Sequence, residues 1–290
     1  WLNPGLVVLT EKQIAETSGQ QRLSLAEMAE RAEQRWPGAK VHYWFFSRDP
    51  RKAVALWTET PTGQKSGIGS DIEIFVHPTT GEILGQRKPG AWNLDRAHFI
   101  PLIYKLHLDL HLGSSMRTFL GIVALLWLFD HFAGAILALP RLARWRDAVR
   151  VRWRAAPDKR MFDLHRAPGL WVLPVTLTLA ITGGAFSLSG PFTSALSLIS
   201  EPSPRVERLR PALPAPLFDP PVSVSGAAER VAQITNGAAI DSVYYLADKG
   251  IWWFRVFDAA DIDEYGRRWV FVDAQTGDQI DDRHMAAGTL

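Results

Sequence analysis

The sequence predicts a membrane α+β protein: an α-helical transmembrane hairpin with two repeated α/β lobes outside the bilayer. Three observations predict it. Two apolar runs are each long enough to cross a membrane, a strongly basic loop joins them, and the segments on either side of the hairpin repeat one another.

Composition narrows the class first. Of 290 residues, 47% are hydrophobic and 21% charged, with a net charge of +2. That balance excludes a disordered chain and leaves no overall basic excess for nucleic acid. Cys is absent, which excludes disulfides, iron–sulfur clusters and covalently attached haem within this chain. Any redox cofactor would be held by His, Met, carboxylate or backbone.

Residues 1–105 form the first lobe. It opens on Trp1-Leu-Asn-Pro4 without Met or a start-transfer segment. An external lobe needs export, so the sequence reads as a fragment or as lacking a preceding transmembrane helix. Leu25, Met28, Ala29 and Ala32 recur at helical spacing, with Ser24 as cap and Gly38 as stop. Three β-like runs follow, Lys40–Phe46, Ala53–Glu59 and Asp71–His77. The last enters Phe75-Val-His-Pro-Thr-Thr-Gly-Glu-Ile83, whose glycine suits a hairpin turn.

Residues 106–140 are the first transmembrane helix with an interfacial lead-in. Its apolar run, Phe119–Leu139, is broken only by Asp130-His131. Residues 141–160 carry Arg141, Arg144, Arg146, Arg150, Arg152, Arg154, Lys159 and Arg160 against Asp147 and Asp158. A short basic loop belongs in the cytoplasm. Being bracketed by spans, it is no nucleic-acid patch. Residues 161–190 are the second span, Ala167–Leu188 headed by Asp163-Leu-His165-Arg166. Each run has the ~20 residues that cross a ~30 Å core. Both lobes then face the periplasm of a multi-pass bacterial inner-membrane protein.

A proline-rich linker, residues 191–221, leads into the second lobe, 222–290. Val222-Ser-Val-Ser-Gly-Ala-Ala-Glu-Arg230 aligns without gaps on Leu23-Ser-Leu-Ala-Glu-Met-Ala-Glu-Arg31, and Gly237-Ala238 falls on Gly38-Ala39. Ile240–Leu246, Ile251–Phe257 and Arg267–Asp273 repeat the β-like runs, and Phe271-Val-Asp-Ala-Gln-Thr-Gly-Asp-Gln279 repeats the turn. Each lobe is expected to pack one helix on its own small antiparallel sheet.

His42, His77, His98 and His284 lie in the lobes, where ordinary polar roles are expected. The other four histidines sit at membrane levels. His107 and His111, a helical turn apart, share a face before the first span. They read either as an interfacial pair or as an axial haem ligand with its neighbour. His165 is an interfacial residue beside Arg166 or a ligand. His131 lies deepest, about 12 Å inside the cytoplasmic boundary. An ionisable residue there defaults to function: a ligand, a polar relay or an interhelical hydrogen bond. Neutral imidazole is the usual nitrogen ligand of haem iron, and facing helices can clamp a porphyrin. Phe119, Trp127, Phe129, Phe132, Trp171 and Phe186 suit a flat macrocycle. Gly121, Gly134, Gly183 and Gly184 would admit a ring or a close helix. His131 and His165 share the cytoplasmic half, up to about 12 Å apart in depth.

His165-Arg-Ala-Pro-Gly-Leu-Trp171 before a span ending Ile181-Thr-Gly183, and Leu106-His107 with Gly113 and Arg117, resemble the PepSY-associated transmembrane family. The lobes resemble PepSY domains, down to the Thr-Gly-Glu turn. The resemblance covers nearly the whole chain. Trp1 looks like the stretch after the family's first helix, and Leu290 stops short of its fourth. It implies a place in a four-helix bundle carrying b-type haem, two haems with bis-His ligation, in an inner-membrane ferric-siderophore reductase. By this resemblance His107 and His165 match the motif histidines, while His111 and His131 depart from the pattern.

The expected activity is therefore oxidoreductase chemistry. Electrons from a cytosolic or quinol donor would cross the bilayer and reduce ferric-siderophore iron in the periplasm to ferrous iron. Trp44, Trp57, Trp252 and Trp253 are candidate siderophore contacts or core residues. Two other classes stay open: a haem-free PepSY-type binding or regulatory membrane protein, and a transporter component with an Asp130/His131 proton relay.

Overall fold

The computed structural model describes residues 9–16, 19–49, 51–59, 72–139, 145–200, 206–259, 261 and 265–284. Along the chain the elements are α1 (Glu11–Glu16), α2 (Leu25–Arg35), β1 (Lys40–Phe45), β2 (Val54–Glu59), β3 (Ile72–Val76), β4 (Ile83–Arg87), α3 (Phe99–Asp109) and α4 (Ser114–Ala138). They continue as α5 (Trp145–Ala148), α6 (Pro157–Ser187), α7 (Ser189–Leu196), α8 (Val206–Leu209), α9 (Val224–Ile234), β5 (Ile240–Leu246), β6 (Ile251–Val256), β7 (Arg268–Asp273) and β8 (Gln279–His284). They divide into two compact units: residues 1–106 with 203–290, and residues 107–202.

The first unit contains both copies of the repeat, and they are not separate lobes. Their strands form one eight-stranded antiparallel sheet in the order β4-β3-β2-β1-β5-β6-β7-β8. The seam is β1 against β5, with Tyr43 opposite Tyr244, Trp44 opposite Val243 and Phe45 opposite Ser242. The repeat alignment places Trp44 on Val243, so a pseudo-twofold axis passes through that pair and the strand order is palindromic. The physical reason is the edge: two separate sheets would each leave an apolar first strand unpaired, and joining them removes both edges.

Local chemistry builds each copy. Ser24 Oγ accepts from the Glu27 N–H at 3.2 Å while the Glu27 carboxylate accepts from the Ser24 N–H at 2.7 Å, a capping box that starts α2. Ser223 caps α9 on the Gly226 N–H. Both helices lie on one sheet face, where Met28, Ala32, Trp44, Leu56 and Ile74 join Ala227, Val231, Val243, Phe254 and Val270 in a single core. Two indoles tie the helix starts to that core: Trp44 Nε1 donates to the Leu25 carbonyl and Trp252 Nε1 to the Val222 carbonyl. On the other face, Trp57, Tyr43, Tyr244, Trp253 and Trp269 form an aromatic row with successive ring centroids 4.7, 4.2, 5.7 and 5.0 Å apart.

The sequence pattern shows three strands per copy, and the structure has four. The additional strands, β4 and β8, are the sheet edges. Ile83-Leu-Gly-Gln-Arg87 and Gln279-Ile-Asp-Asp-Arg-His284 lack apolar alternation because an edge strand is protected by polar side chains. Charge pairs pin the sheet nearby. Glu73 and Arg87, both almost fully buried, form an ion pair. Arg255 holds the buried Asp241. Burial pushes both carboxyls above their usual range, against the pull of the arginines.

The second unit is a helical hairpin, α4 antiparallel to α6. Both helices are long and apolar enough to cross a membrane. At Gly121 there is no room for a side chain: a Cβ there would lie 2.6 Å from Leu188 Cγ and 2.9 Å from Ser187 Cβ. Gly184 faces Leu125, while Gly134 and Gly183 face open space among the described residues. Two of the four small residues therefore serve the helix contact. The segment expected to be linker over 191–221 contains most of α7 and all of α8.

Candidate functional site

His131 is buried at the α4–α6 contact, and both ring nitrogens are engaged. Nδ1 lies 2.6 Å from the Trp127 carbonyl, and Nε2 lies 2.7 Å from Thr176 Oγ1 on α6. The Trp127 ring stands edge-on beside it at 4.8 Å. This is the interhelical hydrogen bond among the readings of His131. Ligating iron would break the bond to Thr176 or to Trp127. Asp130, one residue away, is exposed and turned off this contact, so the two do not form a relay pair.

The His131–Thr176 bond also fixes depth. His165 lies eleven residues before Thr176 on the same helix, about 16 Å along the axis at ~1.5 Å per residue. That exceeds the expected separation of up to about 12 Å, and one iron cannot join the two rings. His165 itself is exposed on the third turn of α6.

His107 and His111 do not share a helical face. α3 ends at Asp109, and Leu110 and His111 adopt left-handed φ values of 49° and 63°. The buried Asp109 carboxylate accepts the His111 N–H at 3.0 Å, which stabilises that turn, and Gly113 at φ 79° starts α4. A periodicity read through Leu112 misses the break, although Asp109 followed by Gly113 is a turn signal. His107 is exposed on the last turn of α3.

At the far end of the hairpin a clasp forms that no sequence motif announced. Asp163, fully buried, accepts Arg152 Nε at 2.7 Å, Arg152 Nη2 at 3.0 Å and Arg166 Nη2 at 2.8 Å. The Asp163-x-x-Arg166 spacing is a readable helical pair. Arg152 comes from the loop and has no such signal.

The lobe histidines have local roles. His77 caps its turn, His98 Nδ1 pairs with Asp95 at 2.8 Å, and His284 Nε2 pairs with Asp261 at 3.2 Å. Trp44 and Trp252 are core, and Trp57 and Trp253 are half-buried on the aromatic face. A cleft of about 320 Å³ runs along α2, lined by Glu30, Glu33, Lys40, His42, Asp219 and Trp252.

Among the described residues no three His, Asp or Glu side chains converge as a metal-binding group. The donor set does admit haem iron in one form. His107 and His165 are exposed imidazoles, one before each apolar run, and each could offer one nitrogen to the iron. His131 does not fit without losing its bonds. Phe119, Phe129, Phe132 and Phe186 are exposed, so they line no pocket between α4 and α6 and are available to lipid or further helices.

Two membrane-length helices, with an α/β sheet built from a repeat, define a membrane protein. The family model for the PepSY-associated TM region matches residues 1–286, and the chain belongs to that family. Over 103 residues it is 30% identical to the uncharacterized protein PA4219 of Pseudomonas aeruginosa, a stretch covering 36% of this chain and 25% of that protein.

Proposed function

We propose that this chain belongs to a haem-containing inner-membrane reductase that passes electrons across the bilayer to ferric-siderophore iron in the periplasm, within a four-helix assembly. The observation that carries this reading is the pair His107 and His165. They are two exposed imidazoles flanking the hairpin at its two ends, in the positions of the family's motif histidines. A bound b-type haem supplies one-electron redox chemistry. His107 and His165 would each offer one imidazole nitrogen to hold the haem, the apolar faces of α4 and α6 would exclude water, and the His131–Thr176 bond locks α4 to α6, the helix that carries His165. Electrons come from a cytosolic or quinol donor, and Fe³⁺ in the chelate gains one to become Fe²⁺. Half-buried Trp57 and Trp253 are the aromatic candidates for chelate contact. The test is the absorbance spectrum of the purified protein before and after dithionite, with haem quantitation. Sharp reduced b-type bands that reoxidise on adding a ferric siderophore support the reading. A protein that stays colourless after haem supplementation overturns it.

A second reading rests on the cleft along α2, which is bordered by residues of both repeats. It favours a haem-free binding or regulatory membrane protein, and the colourless outcome would promote it.

A further inference from the structure

Residues 145–156 of the basic loop do not trail away from the hairpin; they fold back along the start of α6. Besides the Asp163 clasp, Arg166 Nη2 donates to the Asp147 carbonyl at 3.0 Å and Trp171 Nε1 donates to the Val149 carbonyl at 3.0 Å. These two bonds set the height of α5, level with residues 166–171 of α6. The apolar run of α6 begins at Ala167. α5 is therefore held where hydrocarbon gives way to headgroups, while Pro157–Arg166 extends about 15 Å further out.

At that level Arg146 and Arg150 are exposed, and among the described residues no carboxylate pairs with either. Trp145 is also exposed, with the Arg146 guanidinium 5.7 Å from its ring centroid. Arginine supplies planar donors for phosphate oxygens, and tryptophan prefers the headgroup level of a bilayer. A soluble partner would need these groups out in water, whereas the Trp171 and Arg166 bonds keep them at the interface.

We propose that Trp145, Arg146 and Arg150 form a docking surface for anionic phospholipid headgroups of the leaflet facing the loop. The arginines contact headgroup phosphates and the indole seats among the glycerol backbones. The proposal uses no haem ligand, so it stands or falls separately from the reductase reading.

The test is the thermal stability of the full chain in neutral detergent, titrated with dioleoylphosphatidylglycerol, dioleoylphosphatidylcholine or inorganic phosphate. Phosphatidylglycerol is expected to raise the unfolding midpoint saturably, and the other two to do so weakly or not at all. Each arginine near the surface contributes about fivefold in anionic-lipid affinity, so Arg146→Gln with Arg150→Gln should weaken the apparent affinity about 25-fold. Arg146→Lys with Arg150→Lys should retain most of it, and salt should weaken the wild type. An equal response to phosphatidylcholine overturns the proposal, as does undiminished affinity in the Gln pair. Inorganic phosphate matching phosphatidylglycerol overturns it too, by assigning the arginines to free anions. If the Gln pair does not fold, the wild-type lipid comparison and the Lys pair decide.

Discussion

His77 and Asp273 hold the same place in the two copies of the repeat, and each accepts two backbone N–H groups from the turn that follows. His77 Nδ1 takes those of Thr79 and Thr80 at 3.2 and 3.3 Å, and Asp273 Oδ1 takes those of Gln275 and Thr276 at 2.7 and 3.3 Å. One copy thus uses an imidazole where the other uses a carboxylate. The two respond to acid in different windows. Burial pushes the His77 imidazole below its ordinary 6.5. The unfolded chain then takes up its proton first. His77's share of stability is whole above about pH 6.5 and is lost as the pH falls through the lower folded value. Asp273 lies below its ordinary 3.8: burial opposes this, and the Gln275 N–H and Arg210 prevail. Its share persists until pH falls through that lower value.

Replacing His77 by Asp should therefore keep the turn and remove part of the acid sensitivity of the sheet-containing unit between pH 7 and 5. Thermal unfolding midpoints across that range check it. His77→Ala should cost about 0.5–1.5 kcal/mol even at pH 7.5, because the Thr79 and Thr80 N–H groups lose their acceptor. An Asp variant with the wild-type acid response would contradict the assignment.

The Glu73–Arg87 pair should be costly to break and cheap to replace. Glu73→Gln leaves a buried guanidinium without its counter-charge, an expected loss of roughly 3–5 kcal/mol. Glu73→Leu combined with Arg87→Met should recover most of it. Denaturant unfolding of the three proteins measures the coupling, and additive losses in the double variant would argue against a true pair.

Gly121 and Gly134 lie on one helix and should differ sharply. Gly121→Val must push aside Leu188 and Ser187, costing about 1–3 kcal/mol through overpacking. Gly134→Ala meets nothing, so it should be neutral or gain up to about 1 kcal/mol from helix propensity. Stability in detergent distinguishes them.

Thr176→Val should destabilise the hairpin by about 0.6–2 kcal/mol, as should His131→Phe, and the two losses should not add. On the proposed haem reading, both variants should leave the protein's visible spectrum unchanged, while His107→Ala and His165→Ala each diminish it. A His131 variant that lost the bands would restore it as a ligand.

Much of this molecule was legible in residue order because its signals are local. Helical spacing at Met28 and Ala32, the Ser24 and Ser223 caps, and the two apolar runs each depend on a few neighbouring residues. The seam between Trp44 and Val243 was not, since no local pattern names the partner of a strand. β4 and β8 escaped because edge strands discard the alternation that marks a half-buried one. In the hairpin, His131 was readable as a residue needing a partner. Thr176 was not readable as that partner, because its choice depends on how α4 and α6 slide against one another. The shared face of His107 and His111 failed on one backbone turn, where Asp109 takes up the N–H that would have continued the helix.

The palindromic sheet constrains how the protein is made. Trp44 and Val243 are about 200 residues apart, with both apolar helices threaded between them, so their pairing is among the slowest contacts to form. One sheet also requires both copies of the repeat on the same side of the bilayer, which two crossings deliver and one or three would not. Until the second copy has been synthesised, β1 waits with an open apolar edge, a ready template for aggregation. Completion of the sheet is thus a late event in the making of the chain, because it needs strands from both sides of the helical hairpin.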